Sequence, residues 1–200
     1  MTNLLGNTLR HTLLLACLAF LFACDRSAPT FHATDITGAD FGRSFVLTDH
    51  HGRHVASADF RGKAVVIFFG YTQCPDVCPT TLVTMKEAMM RLGADADRVQ
   101  VLFVTVDPER DTQALLAAYV PWFDAHFLGL YGDTKTTLET AKEFRVFFTK
   151  VKGETALGYS IDHSATSYAY DPQGHLRLLI RHGETPEHIA DDLRQLLAGK

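Results

Sequence analysis

Apolar positions follow two different periods along this chain. Ala64-Val-Val-Ile-Phe-Phe69 and Val99-Gln-Val-Leu-Phe-Val-Thr-Val106 are short, almost unbroken apolar runs, the first bounded by Gly62 and Gly70. Such runs suit strands buried on both faces. Between them Leu82, Met85, Met89 and Leu92 recur at helical spacing, which predicts a helix from about Pro79 to Leu92 with one buried side. Asp111 is placed to cap a helix running to about Val120, and Phe127–Tyr131 suits a short strand before a helix from Thr134 to Phe144. Phe45–Thr48 and Val55–Ser57, joined through Asp49-His-His-Gly52, predict an N-terminal hairpin. Ala165–Tyr170 and Leu176–Ile180 flank the turn Asp171-Pro-Gln-Gly174 and predict a second. Thr185-Pro186 opens a last helix whose stripe is Ile189, Leu193, Leu196 and Leu197. This order predicts an α/β sandwich, a mixed central sheet with helices on both faces. Neither a repeat nor a second domain boundary interrupts it.

Composition narrows the class. With 200 residues, 46% hydrophobic, 21% charged and a net charge of −4, the chain suits one folded domain. It is too apolar for disorder and carries no basic footprint for nucleic acid. His50, His51 and His54 read as solvated residues of a hairpin tip, and Trp122 with Phe123 and Phe127 as an anchor at one end of the core.

The N-terminus is an address. Thr12–Ala23 is uncharged and rich in Leu, Ala and Phe, and shorter than the ~20 apolar residues of a membrane-spanning helix. It has the length of the apolar region of a secretory signal peptide. Leu21-Phe-Ala-Cys24 resembles the lipobox of bacterial lipoproteins, in which the Cys is acylated and begins the mature protein; Leu14-Leu-Ala-Cys17 resembles it less well, with only a few apolar residues before it. Asp25 resembles the signal that retains such lipoproteins in the inner membrane. The expected organisation is a signal peptide over 1–23, a tether over 24–40 and a folded domain over 41–200. The domain is then held at the periplasmic face of the cytoplasmic membrane by lipid on Cys24; the alternative is an uncleaved N-terminal membrane anchor.

Export leaves Cys74 and Cys78 as the cysteines of the folded part. A disulfide closing so short a loop adds little entropic stability, which points to chemistry rather than bracing. Both lie where the strand Ala64–Phe69 passes into a helix, with Cys78 at or near the helix N-terminus. Unpaired amides and the positive dipole end favour a thiolate there. The pair is either a dithiol redox couple or two ligands of a thiophilic metal. Two thiolates fall short of the four ligands of structural zinc and come closer to a full set for Cu(I). Asp162-His163 lies 85 residues beyond Cys78, in the loop before the second hairpin, where it can reach the same end of the sheet. Met85, Met89 and Met90 read as packing rather than as thioether ligands.

Gly70-Tyr-Thr-Gln-Cys-Pro-Asp-Val-Cys-Pro79 resembles the C-x-x-x-C signature of the Sco/SenC copper proteins. The resemblance continues in order through Val106-Asp-Pro-Glu-Arg-Asp-Thr112 and Ile161-Asp-His-Ser164 and covers roughly residues 40–197. It implies a thioredoxin-like fold with a peroxiredoxin-like elaboration. It also implies one copper ion, Cu(I) or Cu(II), held by Cys74, Cys78 and His163, with Asp76, Asp162 or water as a further donor for Cu(II). The implied role is assembly of the CuA centre of cytochrome c oxidase, with oxidase subunit II as partner and other periplasmic copper chaperones or thioredoxin-like reductants as further partners. The same thiols allow a second reading, a membrane-tethered thiol–disulfide oxidoreductase acting on the apo-oxidase subunit or in redox and copper signalling. A thiol peroxidase fits poorly, because Thr72 stands two residues before Cys74 rather than three. Asp107-Pro-Glu-Arg-Asp111 reads as a strand-to-helix turn in which Arg110 finds an ion-pair partner, or as a docking element near the site.

Overall fold

The structure is a computed structural model that describes residues 30–153 and 158–200. The proposed signal region, with Cys17 and the lipid-attachment candidate Cys24, lies outside the described residues. The centre of the sheet is β4 (Ala64–Gly70), buried along its whole length and paired in parallel with β5 (Val99–Thr105). Parallel neighbours need a long crossover, supplied here by α1 (Val77–Leu92). The helix α2 (Gln113–Phe123) makes the next crossover, from β5 to β6 (Leu128–Tyr131). The hairpin β2–β3 (Val46–Asp49, His54–Ala56) extends the sheet antiparallel beyond β6. On the other side of β4 lie β9 (Ser167–Tyr170) and β10 (Leu176–Ile180), with β1 (Thr34–Asp35) at the edge. The result is one eight-stranded mixed sheet in the order β1-β10-β9-β4-β5-β6-β2-β3.

Alternate side chains of β4 meet different layers. Phe68 packs on Phe103, whose ring meets Tyr119 of α2. Phe69 points the other way, onto Phe144 just beyond α3 (Thr134–Glu143). Helices therefore cover both faces, and α4 (Pro186–Leu197) lies along α1. Asp133 and Thr185 cap α3 and α4 by accepting the N–H of Thr136 and His188, and Pro186 occupies the first turn of α4 as expected. Among the described residues no helix is long and apolar enough to cross a membrane.

Several expectations need correction. The cap of α2 is Thr112, which accepts the Leu115 N–H at 3.2 Å. Asp111 is turned inward instead, where its carboxylate accepts the Thr72 N–H and the hydroxyls of Thr72 and Thr105. Trp122 is 77% exposed and lies outside the core, its ring meeting Phe123 edgewise, whereas Phe123 and Phe127 are buried. The buried stripe of α2 is Leu116, Val120 and Phe123, and the residue before Phe123 faces away from it. His50 is buried, and its Nδ1 accepts the Gly129 N–H at 2.9 Å; only its neighbours His51 and His54 are exposed. Residues 31–40, expected in the tether, belong to the domain: Ala33 is buried and Thr34–Asp35 pairs with β10. Finally, His163 does not sit in a loop. It ends β8 (Tyr159–His163), which pairs with β7 (Phe148–Lys152) in a separate two-stranded ribbon.

Candidate metal centre

β4 delivers the chain at Gly70 to a tight turn, in which the Cys74 N–H donates to the Tyr71 carbonyl at 3.3 Å. Cys78 is the second residue of α1, and its sulfur faces the sheet in full burial. The space for it exists because residue 70 has no side chain: a Cβ at Gly70 would lie 2.7 Å from Cys78 Sγ. Cys74, in the turn, is half-exposed.

The two thiols are electrostatically unequal. Cys74 is held far below the usual thiol range, at about 3, chiefly by the hydrogen bond from the Cys78 thiol, against the opposing effect of its own burial. The backbone N–H groups of Asp76 and Cys78 add to the effect. Cys78 is pushed up, because its proton is committed to Cys74, it is buried, and the Cys74 charge lies beside it. The expected thiolate at the helix N-terminus is therefore carried by the sulfur preceding the helix. The amides of Asp76 and Cys78 reach Cys74, while the hydrogen bond to Cys74 and, after it, burial keep the proton on Cys78.

His163 completes the group. Its Nδ1 lies 3.0 Å from the Ser164 carbonyl, which only accepts, so Nδ1 carries the hydrogen. In the neutral ring that arrangement leaves the lone pair on Nε2, 3.4 Å from Cys78 Sγ. The ring is held edgewise by Phe68 and Tyr71, at 6.1 and 5.9 Å between centroids. One donor atom from each of Cys74, Cys78 and His163 lies within 4.8 Å of the others. Metal–sulfur and metal–nitrogen bonds of about 2.0–2.3 Å place donors roughly 3.5–4 Å apart around a three-coordinate ion. The donor set thus suits copper in spacing, softness and tautomer.

The structure brings those three candidates together and leaves the two acids outside the group. Asp76 holds the N-cap position of α1 without a side-chain cap bond, and accepts the Thr80 hydroxyl at 3.4 Å. Asp162 is exposed and neighbours His163 on a strand, so its side chain leaves by the opposite face. Two supporting groups had no signal in the sequence. The Ser164 carbonyl is a backbone atom, and Tyr71, whose hydroxyl accepts the Ile161 N–H at 3.3 Å, reads simply as a core aromatic. Asp107-Pro-Glu-Arg-Asp111 forms the expected ion pair between Arg110 and Asp107.

A sequence model of SCO1/SenC matches residues 33–198, which include all three donors. The mitochondrial Protein SCO2 homolog of Bos taurus is 37% identical over 156 residues, which is 77% of this chain and 59% of that protein. The chain thus spans about three fifths of the length of its mammalian relatives. The structure of Bradyrhizobium japonicum ScoI with copper bound is similar at a TM-score of 0.73 and 41% identity, over 80% of this chain and 100% of that one. Apo Sco1 from Thermus thermophilus has a TM-score of 0.75 and 38% identity, over 84% of this chain and 98% of that one. These matches agree with the expected thioredoxin-like fold and with a group suited to copper, and the chain belongs to the SCO1/SenC family.

Proposed function

We propose that this protein carries one copper ion on Cys74, Cys78 and His163 and serves in the assembly of cytochrome c oxidase, at the CuA centre of subunit II. The observation that supports this most is the convergence of two sulfurs and an imidazole Nε2, with the tautomer fixed by the Ser164 carbonyl. Two soft thiolates and a neutral imidazole make a three-coordinate set for Cu(I). Cu(II) needs a further donor, and water fits better than Asp76 or Asp162, which lie outside the group. The burial of Cys78 supports tight retention, and the half-exposure of Cys74 leaves one sulfur open to an acceptor site. Copper acts here as cargo: it is received from another periplasmic copper chaperone and passed on without turnover. Attachment to the periplasmic face of the inner membrane through Cys24 is the arrangement that the N-terminal segment suggests.

The inequality of the thiols also favours a second reading. An accessible thiolate at Cys74 beside a protonated, buried Cys78 is the arrangement of a thiol–disulfide oxidoreductase, which attacks with one sulfur and resolves with the other. His163 separates the two readings, because copper transfer needs it and disulfide exchange does not. Copper-to-protein stoichiometry tests the proposal, comparing the reduced and the disulfide forms with His163→Ala. The carrier account expects one copper per reduced chain, none on the disulfide form, and weaker retention in the variant. Oxidase assembly that survives His163→Ala undiminished favours the oxidoreductase.

A further inference from the structure

Among the described residues, the ribbon that carries His163 has no ladder pairing with the main sheet: β7 and β8 pair with each other. Its apolar hold is limited: Ile161 is buried and Phe148 and Tyr159 pack half-buried against the core, while the rest of β7 is exposed. A segment with so little buried apolar surface opens easily unless polar contacts secure it. The position of the imidazole therefore depends on how the ribbon is fastened.

Besides the Ile161 N–H, which donates to the Tyr71 hydroxyl at 3.3 Å, the polar fastening gathers at one residue. Arg110 forms an ion pair with Asp107, which is wholly buried. The same guanidinium donates through Nη1 to the Tyr159 carbonyl at 2.8 Å and lies over the Tyr159 ring, 3.6 Å from its centroid. The Tyr159 hydroxyl returns to Asp107 Oδ1 at 2.7 Å and closes a ring of contacts. Across the ribbon, Lys150 pairs with Glu109 at 2.6 Å and also sits over Tyr159, 4.6 Å from its ring. On the sheet side the motif is anchored by the Asp107 N–H, which donates to the Thr105 hydroxyl at 2.9 Å, and by the Val106 N–H, which donates to the Gly70 carbonyl at 2.8 Å. The strand end that leads into the Cys turn is thus tied through Arg110 to the first residue of the strand that ends in His163.

We propose that Arg110 is a positioning residue for the metal centre. Paired with Asp107, it latches Tyr159 and so holds the β7–β8 ribbon where His163 Nε2 faces the two sulfurs. The proposal rests on the reading of His163 as a copper donor. It gives the site two halves with different anchors: the thiols belong to the main sheet and α1, and the imidazole belongs to a ribbon held against them by Arg110 and, at Ile161 and His163, by Tyr71. Release of the latch by a docking partner would take copper from three donors to two, which eases its transfer.

The test uses the full chain with Arg110→Lys and Tyr159→Phe, each alone and combined with His163→Ala. Lys keeps the charge but loses the planar fork and the stacking. Phe keeps the ring under Arg110 but loses the hydroxyl that reaches Asp107. Truncation of Arg110 is avoided because it would strand Asp107 in the interior. In the reduced, metal-free protein the latch predicts amide hydrogen exchange at 148–152 and 159–163 faster by about 10-fold or more, with β4 and β5 unchanged. Cu(I) affinity, read by competition with a chromophoric Cu(I) chelator, is expected to fall about 10–100-fold with His163 present. In the His163→Ala background the same substitutions should cost less than about 2-fold. Equal losses in both backgrounds, or exchange unchanged in the ribbon, would overturn the latch. If His163→Ala by itself leaves Cu(I) affinity at the wild-type value, the three-donor reading fails instead, and the exchange data alone decide the latch.

Discussion

Gly70→Ala is the smallest change that reaches the site from the sheet side. The added methyl would lie 2.7 Å from Cys78 Sγ, 2.9 Å from Phe103 Cε2 and 3.0 Å from Phe68 Cε1. Non-bonded heavy atoms sit best about 3.5–4.0 Å apart, so the methyl intrudes on the sulfur by about 1 Å. The backbone cannot easily retreat, because residue 70 lies within β4, paired with Thr105, and its carbonyl accepts the Val106 N–H. Nor can the rings, which sit in the buried layer under α1 and α2. Overpacking of this kind costs about 1–3 kcal/mol. For a domain of this size that corresponds to a fall in Tm of about 2–12 °C. The displaced sulfur should also weaken Cu(I) binding, so that one substitution lowers both readouts. Thermal unfolding of the reduced, metal-free protein and Cu(I) competition measure the two. A variant within about 1 °C of wild-type Tm and with unchanged affinity would refute the placement of Cys78 against β4.

Two further outcomes follow from the same geometry. Cys74 has a folded-state value far below the ordinary thiol range of about 8.5, so the stability its thiolate contributes is complete above that ordinary value and drains away as the pH falls toward about 3. Alkylation of Cys74 in the reduced protein should accordingly run at a nearly constant rate from about pH 5 to pH 8, whereas a rate rising about tenfold per pH unit over that span would mean an ordinary thiol. Trp122→Ser removes a side chain that is 77% exposed, so its unfolding free energy should stay within about 0.5 kcal/mol of wild type; a loss of several kcal/mol in denaturant unfolding would return Trp122 to the core.

What the sequence revealed and what it hid follow one physical divide. β4 and β5 are legible because a strand covered on both faces must be apolar at nearly every position, and that pattern admits few other readings. The Cys pair is legible because a strand, a short turn and a helix in succession place its residues at a helix N-terminus. The ribbon β7–β8 is not, because Phe-Thr-Lys-Val-Lys carries neither a continuous apolar run nor a buried alternating face. Its order comes from contacts made at a distance, through Arg110 and Tyr71, and no local pattern encodes those. Chain order offers His163 as a candidate for the Cys end of the sheet, and its assignment as a ligand comes from the resemblance of Ile161-Asp-His-Ser164 to a family motif. Asp111 shows the limit of local propensity: a residue suited to capping was drawn inward by two threonine hydroxyls and an amide that belong partly to another loop. The division of charge between the thiols depends on the hydrogen bond between them and on the burial of Cys78, neither of which spacing reports. His50 illustrates the same point, since one residue of a polar hairpin tip became interior where β6 lies beneath it.

The most direct measurement is X-ray absorption at the copper edge of the reduced, Cu(I)-loaded protein, with His163→Ala beside it. The account predicts two sulfur scatterers and one nitrogen scatterer at bonding distance in the wild type, and loss of the nitrogen contribution in the variant. Identical sulfur-only shells in both proteins would show that the imidazole does not hold copper, and would contradict the account at its centre.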